Sequence, residues 1–143
     1  MLDGLFVTPA VAAIAEALGD LEGPIAVVGD AKLAQALAAK RTVIPVAMTP
    51  RAAKKLPNAL ADLSTIEPAS LAAVVRSDIT DDDDWAATLR TSTSVVRDGG
   101  ALVLVDRGQA AEASRRALCA GLSELEQRTA GRAVITSGLV THL

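Results

Sequence analysis

The continuous apolar run Ile25 to Val28 ends at Gly29-Asp30-Ala31-Lys32, where the spacing of apolar residues changes from that of a buried strand to that of a helix. A strand end and a helix N-terminus meeting in this way present backbone N–H groups, which is how α/β chains close around a pyrophosphate or an adenosyl group. Such loops commonly carry two or three glycines, because a Cβ would hold the ligand off the backbone. Gly29 is the only one here. The loop has the position for binding and few of the usual means.

The run Asp81-Asp82-Asp83-Asp84, followed by Trp85, is the second candidate. Hard cations take carboxylate oxygens, but four consecutive side chains diverge from a regular backbone and cannot all converge on one ion. One aspartate is expected to cap a helix starting near Trp85, with the others favouring its positive N-terminus and facing solvent. As a functional surface the run suits a basic protein partner, with Trp85 either in the core or anchoring the contact. Arg51, Lys54 and Lys55 form a basic patch, a solvated face or a grip for phosphate. Cys119 stands alone, which excludes an internal disulfide and a multi-cysteine zinc site, and it reads as a buried structural thiol. His142 has no nucleophile or carboxylate to pair with in sequence, and reads as surface decoration. No Ser-His-Asp set, P-loop or metal-ligand pattern is present.

Length and composition set the frame for these residues. The 143 residues read as one domain, 1–143, with 1–22 as an N-terminal helix and linker and 23–143 as an α/β core. Half of the residues are apolar, yet the aromatics are Phe6 and Trp85 alone, so the core must be built from Ala, Leu, Val and Ile. A net charge of −3 and the lack of tyrosine argue against nucleic acid, which is bound through phosphate contacts and stacking. Apolar runs such as Ala101 to Val105 fall far short of the roughly 18 residues of a membrane span, so no membrane association is expected. Asp3 comes early and no basic leader precedes a long apolar stretch, so the expectation is a cytoplasmic protein.

The elements that would position the candidates follow from caps, periodicity and breakers. Thr8-Pro9 is expected to open a helix carrying Val11, Ile14 and Leu18, ended by Gly19. Asp30 caps the next helix, with Leu33 and Leu37 on one face. A second strand covers Thr42 to Ala47, and Thr49-Pro50 opens a short basic helix, Arg51 to Leu56, stopped by Pro57. Leu63 to Ile66 reads as a third strand and Leu71 to Arg76 as a fourth. The helix from near Trp85 turns Leu89 and Val96 inward and is closed by Gly99-Gly100, before a strand over Ala101 to Val105. Gly108 and Gly121 bracket a further helix. Glu124 to Thr129 and Arg132 to Val140 flank a hairpin turn at Ala130-Gly131. The alternation implies a three-layer α/β/α, Rossmann-like, mostly parallel sheet with a C-terminal antiparallel hairpin.

Three segments carry a family likeness: Ser70-Leu71-Ala72-Ala73-Val74-Val75, Trp85 to Leu104 with its Val96-Arg97-Asp98-Gly99-Gly100-Ala101-Leu102-Val103-Leu104, and Gly121-Leu122-Ser123-Glu124-Leu125-Glu126. From about Ile25 to His142 the chain resembles a small class I S-adenosylmethionine-dependent methyltransferase domain, of the type that methylates small molecules. The second segment is similar to the family's approach to its fifth strand, where a double glycine stands, and the third to its approach to the hairpin. The resemblance implies an acidic residue and three spaced glycines around the first turn, of which Gly29 alone matches. It also implies an Asp or Glu at the end of the second strand that accepts from both ribose hydroxyls. In Pro45-Val46-Ala47-Met48-Thr49-Pro50 that place belongs to Ala47.

Each charge-assisted hydrogen bond lost is worth about 1.5 to 3 kcal/mol, against about 8 kcal/mol for micromolar binding. The expectation is therefore a methyltransferase-like domain that holds no cofactor and acts by contact, as a regulatory or scaffolding module for another protein or a second copy of itself. The alternative is an active small methyltransferase. It would take S-adenosylmethionine through main-chain groups at Gly29, Asp30 and Ala31, with Asp78 or Thr80 near the transfer site. A third reading is a module for another nucleotide or acidic metabolite, using Lys32 and the helix N-terminus.

Overall fold

The computed structural model describes residues 2–142, with side chains from 9 to 142. Six strands form one sheet: β1 (Ile25–Val28), β2 (Val43–Val46), β3 (Leu71–Ser77), β4 (Val96–Asp106), β5 (Ser123–Ala130) and β6 (Ala133–Leu139). Their order is β2-β1-β3-β4-β6-β5, with β2, β1, β3 and β4 parallel and β6 antiparallel to both of its neighbours. Val27 of β1 faces Pro45 on one side and Val75 on the other, which places β1 in the interior of the sheet.

Helices cover both faces. On one, α1 (Leu2–Leu18) and α2 (Ala31–Ala38) bring Ile14, Leu18, Leu33 and Leu37 onto Val27, Val75 and Val103. On the other, α4 (Trp85–Ser94) and α5 (Ala110–Cys119) bring Leu89 and Ala117 onto Ala26, Val74, Leu102 and Leu104. Alternate strand residues thus enter opposite apolar layers, the physical reason for the unbroken apolar character of β1. Among the described residues no helix is long and apolar enough to cross a membrane.

The expected three-layer architecture and terminal hairpin are both present, and three local expectations need correction. First, α1 starts at Leu2 and contains Pro9, so Thr8-Pro9 does not open it. A proline inside a helix forfeits a backbone bond, at about 3 kcal/mol in isolation. Burial of Ala10, Ile14 and Leu18 against the sheet offsets that cost. Second, Leu63 to Ile66 is not a strand: Leu63–Thr65 is a single 3-10 turn whose start is capped by Asp62, which accepts the Ser64 N–H at 2.7 Å. Pairing survives nearby as one parallel bridge between Val46 and Leu60, where the Leu60 N–H donates to the Pro45 carbonyl and its carbonyl accepts from Ala47.

Third, Gly99-Gly100 does not close a helix. The helix α4 ends at Ser94, Val96 already belongs to β4, and the two glycines form a bulge opposite a single residue, Val140. Gly99 donates to the Val140 carbonyl and Gly100 accepts from the Val140 N–H, each at 2.8 Å. Gly99 takes φ +82°, while a Cβ on Gly100 would lie 2.5 Å from the Ala72 carbonyl oxygen. The expected helix does run through the polar stretch Thr91 to Ser94, where each hydroxyl turns back to a carbonyl of the preceding turn.

Candidate functional site

The chain leaves β1 toward β2 on one side and later returns to β3 on the other, so the loops after β1 and β3 diverge. Where neighbouring connections part in this way, a crevice opens at the carboxyl ends of the strands, the usual ligand position in open α/β sheets. An open groove of about 1060 Å³, lined by Val11, Leu21, Pro24, Leu37 and Arg41 among others, lies at the opposite, amino edge. Gly29, Asp30, Ala31, Asp78 and Thr80 fall at the carboxyl edge, where β1 and β3 end.

Gly29 follows β1 directly with φ +82°, and no atom lies within 4 Å of where a Cβ would sit. Its N–H donates to the Val46 carbonyl at 2.9 Å, tying the loop to the end of β2. Asp30 is the N-cap of α2: one carboxylate oxygen accepts the Leu33 N–H at 3.0 Å, and Ala31 is the first helical residue. At the end of β2, exposed Ala47 takes φ +58°, a left-handed conformation uncommon for a residue with a Cβ. The Ala47 N–H is held by the Leu60 carbonyl.

Asp78 follows β3, also left-handed at φ +60°, and its N–H donates to the Val105 carbonyl at 2.9 Å. Desolvation and then the charge of Asp81 raise its carboxyl above the usual range; Arg107 opposes the shift and Asp30 adds to it. Asp106, the last residue of β4, is fully buried. One of its oxygens accepts both the N–H and the hydroxyl of Thr80, at 3.1 and 2.9 Å, and the other has no hydrogen-bond partner. Burial raises its carboxyl as well, against the two Thr80 bonds and with Asp78 and Asp81 adding to the shift.

The fold thus brings Gly29, Asp30, Ala31, Asp78, Thr80 and Asp81 to one edge, together with Asp106, which sequence reasoning missed. Its signal was an acid directly after the apolar run Ala101 to Val105. The rest of the acidic run lies apart. Asp82 accepts the Asp84 N–H at 2.8 Å and the Thr88 hydroxyl at 2.6 Å, and the Thr88 bond is the main reason its carboxyl falls below the ordinary range. Asp84 stands at the N-cap position without a side-chain cap bond, and Asp82 braces the start of α4 through the Asp84 N–H and Thr88 instead. Asp83 and Asp84 are exposed.

Half-buried Trp85 has the guanidinium groups of Arg115 and Arg116 over its ring, at 5.4 and 5.3 Å from the centroid. Arg116 also donates to the carbonyls of Ile79 and Asp82 and pairs with Glu112, whose carboxyl is lowered to about 2 by its bonds to Arg115 and Arg116. Cys119 corrects another expectation. It is exposed, because Ala113 and Ala117 form the inward face of α5 and Cys119 lies off that stripe. His142 is tied down rather than loose, with its N–H on Asp98 and its ring nitrogen 2.6 Å from the Val96 carbonyl oxygen. Arg51, Lys54 and Lys55 are exposed on and just after the short helix α3 (Pro50–Ala53), which Thr49 caps. Among the described residues no group of three His, Cys, Asp or Glu side chains is placed to hold a metal ion.

Fold and crevice together define a class: this is a class I S-adenosylmethionine-dependent methyltransferase-like fold. A methyltransferase solved in complex with the Haloferax volcanii Trm112 methyltransferase activator superposes with TM-score 0.80 at 12% identity, over 99% of this chain and 92% of the other. An S-adenosyl-L-methionine-dependent methyltransferase of Methanococcus maripaludis gives 0.74 at 13% identity, over 99% and 89%. The T. thermophilus 16S rRNA N2 methyltransferase, solved with AdoMet and guanosine, gives 0.64 at 17% identity, over 93% of this chain and 39% of that larger one. No family model and no curated protein matches the sequence.

These likenesses overturn the expectation of a fold without cofactor. Structures that share it include an S-adenosylmethionine-dependent methyltransferase and a methyltransferase with AdoMet in place. The expectation counted glycines and one missing carboxylate. It gave no weight to the open backbone at Gly29, where the single glycine already leaves the space a Cβ would take.

Proposed function

We propose that this chain is a small S-adenosylmethionine-dependent methyltransferase with an atypical cofactor loop, acting on a small molecule. The observation that carries the reading is Gly29, left-handed and open on its Cβ side, at the point where the connections from β1 diverge. The main chain of Gly29, Asp30 and Ala31 would hold the cofactor at the N-terminus of α2, with Asp78 at the opposite wall. The bound sulfonium would supply an activated methyl group. Ala47 offers no acid to the ribose, so this reading expects an affinity weaker than a carboxylate there would give.

Calorimetric titration with S-adenosylhomocysteine tests it. Saturable binding is the expected result, accompanied by thermal stabilisation. Absence of binding up to millimolar ligand would overturn the reading.

A protein partner belongs to the same proposal. The likeness to a methyltransferase solved with its activator supports it, and the exposed Asp83 and Asp84 form an acidic surface outside the crevice. Co-purification with a Trm112-type activator, weakened by Asp83→Lys combined with Asp84→Lys, is the expected outcome, and unchanged co-purification would remove that surface from the contact.

A further inference from the structure

The two outer edges of the sheet differ. At β2 the edge is closed: Pro45 has no N–H to offer, its carbonyl accepts the Leu60 N–H at 2.8 Å, and the Leu60 carbonyl holds the Ala47 N–H at 2.9 Å. At β5 the sheet ends, and among the described residues no segment pairs with the far side of that strand.

A bulge between Ser123 and Glu126 bends the start of β5, whereas Glu126 to Ala130 run in unbroken register with Ser137 to Ala133. The two-residue turn Gly131-Arg132, with Gly131 at φ +62°, makes Ala130 and Ala133 a hydrogen-bonded pair. Bonded pairs alternate along an antiparallel ladder, so Arg128 and Glu126 also turn their main chain to β6, and Gln127 and Thr129 turn theirs outward. The Gln127 side chain fixes the strand to its neighbours, donating to the Ala110 carbonyl at 2.7 Å and to the Ser114 and Thr136 hydroxyls, each at 3.0 Å. Arg128 pairs with Glu126 at 2.6 Å and with Glu16 of α1 at 3.4 Å, so opposite charges two residues apart share one face of the edge strand.

We propose that β5 pairs antiparallel with β5 of a second copy, about a two-fold axis at Gln127, joining two six-stranded sheets. The two Gln127 residues then exchange main-chain hydrogen bonds, and Glu126 lies opposite the other copy's Arg128 on both sides of the axis. These are non-hydrogen-bonded positions, where facing side chains come closest. Outward main chain must meet outward main chain, which limits the neighbouring registers to one step either way. One step sets Glu126 opposite Glu126, and the other sets Arg128 opposite Arg128. Both are repulsive, so charge order selects a single self-complementary register. The inference is independent of methyl transfer.

Sedimentation equilibrium of the full chain over a range of concentrations tests it. A single strand pair is a small interface, so a weak dimer with a Kd on the order of 100 μM is expected. Thr129→Pro removes an outward N–H that the single chain does not use, and should give a folded monomer by circular dichroism. Glu126→Arg and Arg128→Glu each place like charges in both facing pairs and should each weaken the dimer about tenfold. An equimolar mixture of those two variants restores opposite signs, and should associate within about threefold of the parental Kd. A parent that stays monomeric at about 1 mM, a folded Thr129→Pro variant that still dimerises, or a mixture no tighter than either charge variant alone would overturn the proposal.

Discussion

Thr80 gives both of its donors, the backbone N–H at 3.1 Å and the hydroxyl at 2.9 Å, to a single oxygen of Asp106. The second oxygen lies in the core with no partner. One carboxylate therefore ties the turn after β3 to the end of β4, across 26 residues of chain, and remains half satisfied. That link holds the wall of the crevice on which Asp78 and Asp81 stand.

The consequence is a defined pH dependence. Burial raises the carboxyl of Asp106, with Asp78 and Asp81 adding to the shift and Thr80 opposing it. A carboxyl raised in the folded state binds its proton more tightly there than in the unfolded chain. Its contribution to stability is then lost as pH rises from the unfolded value through the folded one. Asp106→Asn removes this charge, so its stability relative to the parent should be higher near neutral pH than at about pH 4. Urea denaturation at both pH values measures it; an equal difference at both would show that Asp106 does not titrate in this window.

The start of α4 distinguishes two acids two residues apart. Asp82 bonds the Asp84 N–H and the Thr88 hydroxyl, whereas Asp84 makes no side-chain cap bond. Asp82→Ala should cost about 1 kcal/mol and Asp84→Ala less than about 0.5 kcal/mol. The carboxyl of Asp82 is lowered, so its contribution is present above the ordinary carboxylate range and lost as pH falls through it. Chemical denaturation of the two variants decides the assignment, and the reverse order would refute it.

The glycine pair of β4 has two separate causes that substitution can pull apart. A Cβ at Gly99 meets open space, so Gly99→Ala should cost only the left-handed backbone, about 1 to 2 kcal/mol. A Cβ at Gly100 meets the Ala72 carbonyl oxygen and Val96 Cγ1, both at 2.5 Å, against backbone that cannot yield without parting β3 from β4. Gly100→Ala should therefore be the more damaging, by about 3 kcal/mol or more. Equal melting temperatures for the two variants would show that the contact is not as tight as described.

Ala47 allows a gain-of-affinity experiment. Its left-handed backbone at the exposed end of β2 is one that aspartate adopts more readily than most residues. Ala47→Asp should lower the Kd for S-adenosylhomocysteine about tenfold or more, the worth of one or two charge-assisted hydrogen bonds. Calorimetry on both forms checks it. Unchanged affinity would place the ribose elsewhere.

Much of the fold was legible because its rules act within a few residues. Asp30 before Leu33 and Leu37, and Thr49 before Pro50, announced helix starts that the structure contains, with the expected side-chain bonds in place. The run Ile25 to Val28 announced a strand covered on both faces. Misreadings arose where a local signal had two outcomes. A glycine pair can stop a helix or form a bulge, and Val140, some 40 residues further on, decides between them. A short apolar run can be a strand or a turn, and at Leu63 the side chain of Asp62 tips it to a turn.

Periodicity, caps and breakers in the linear chain were enough to establish the layers of this protein and to point at the loop after β1. They could not reveal that Asp30, Asp78, Asp81 and Asp106, drawn from three separate strand ends, share one electrostatic field. Strand order alone makes them neighbours. Charges interact through space rather than along the chain, and burial, which shifts Asp106, exists only once distant segments have packed around it.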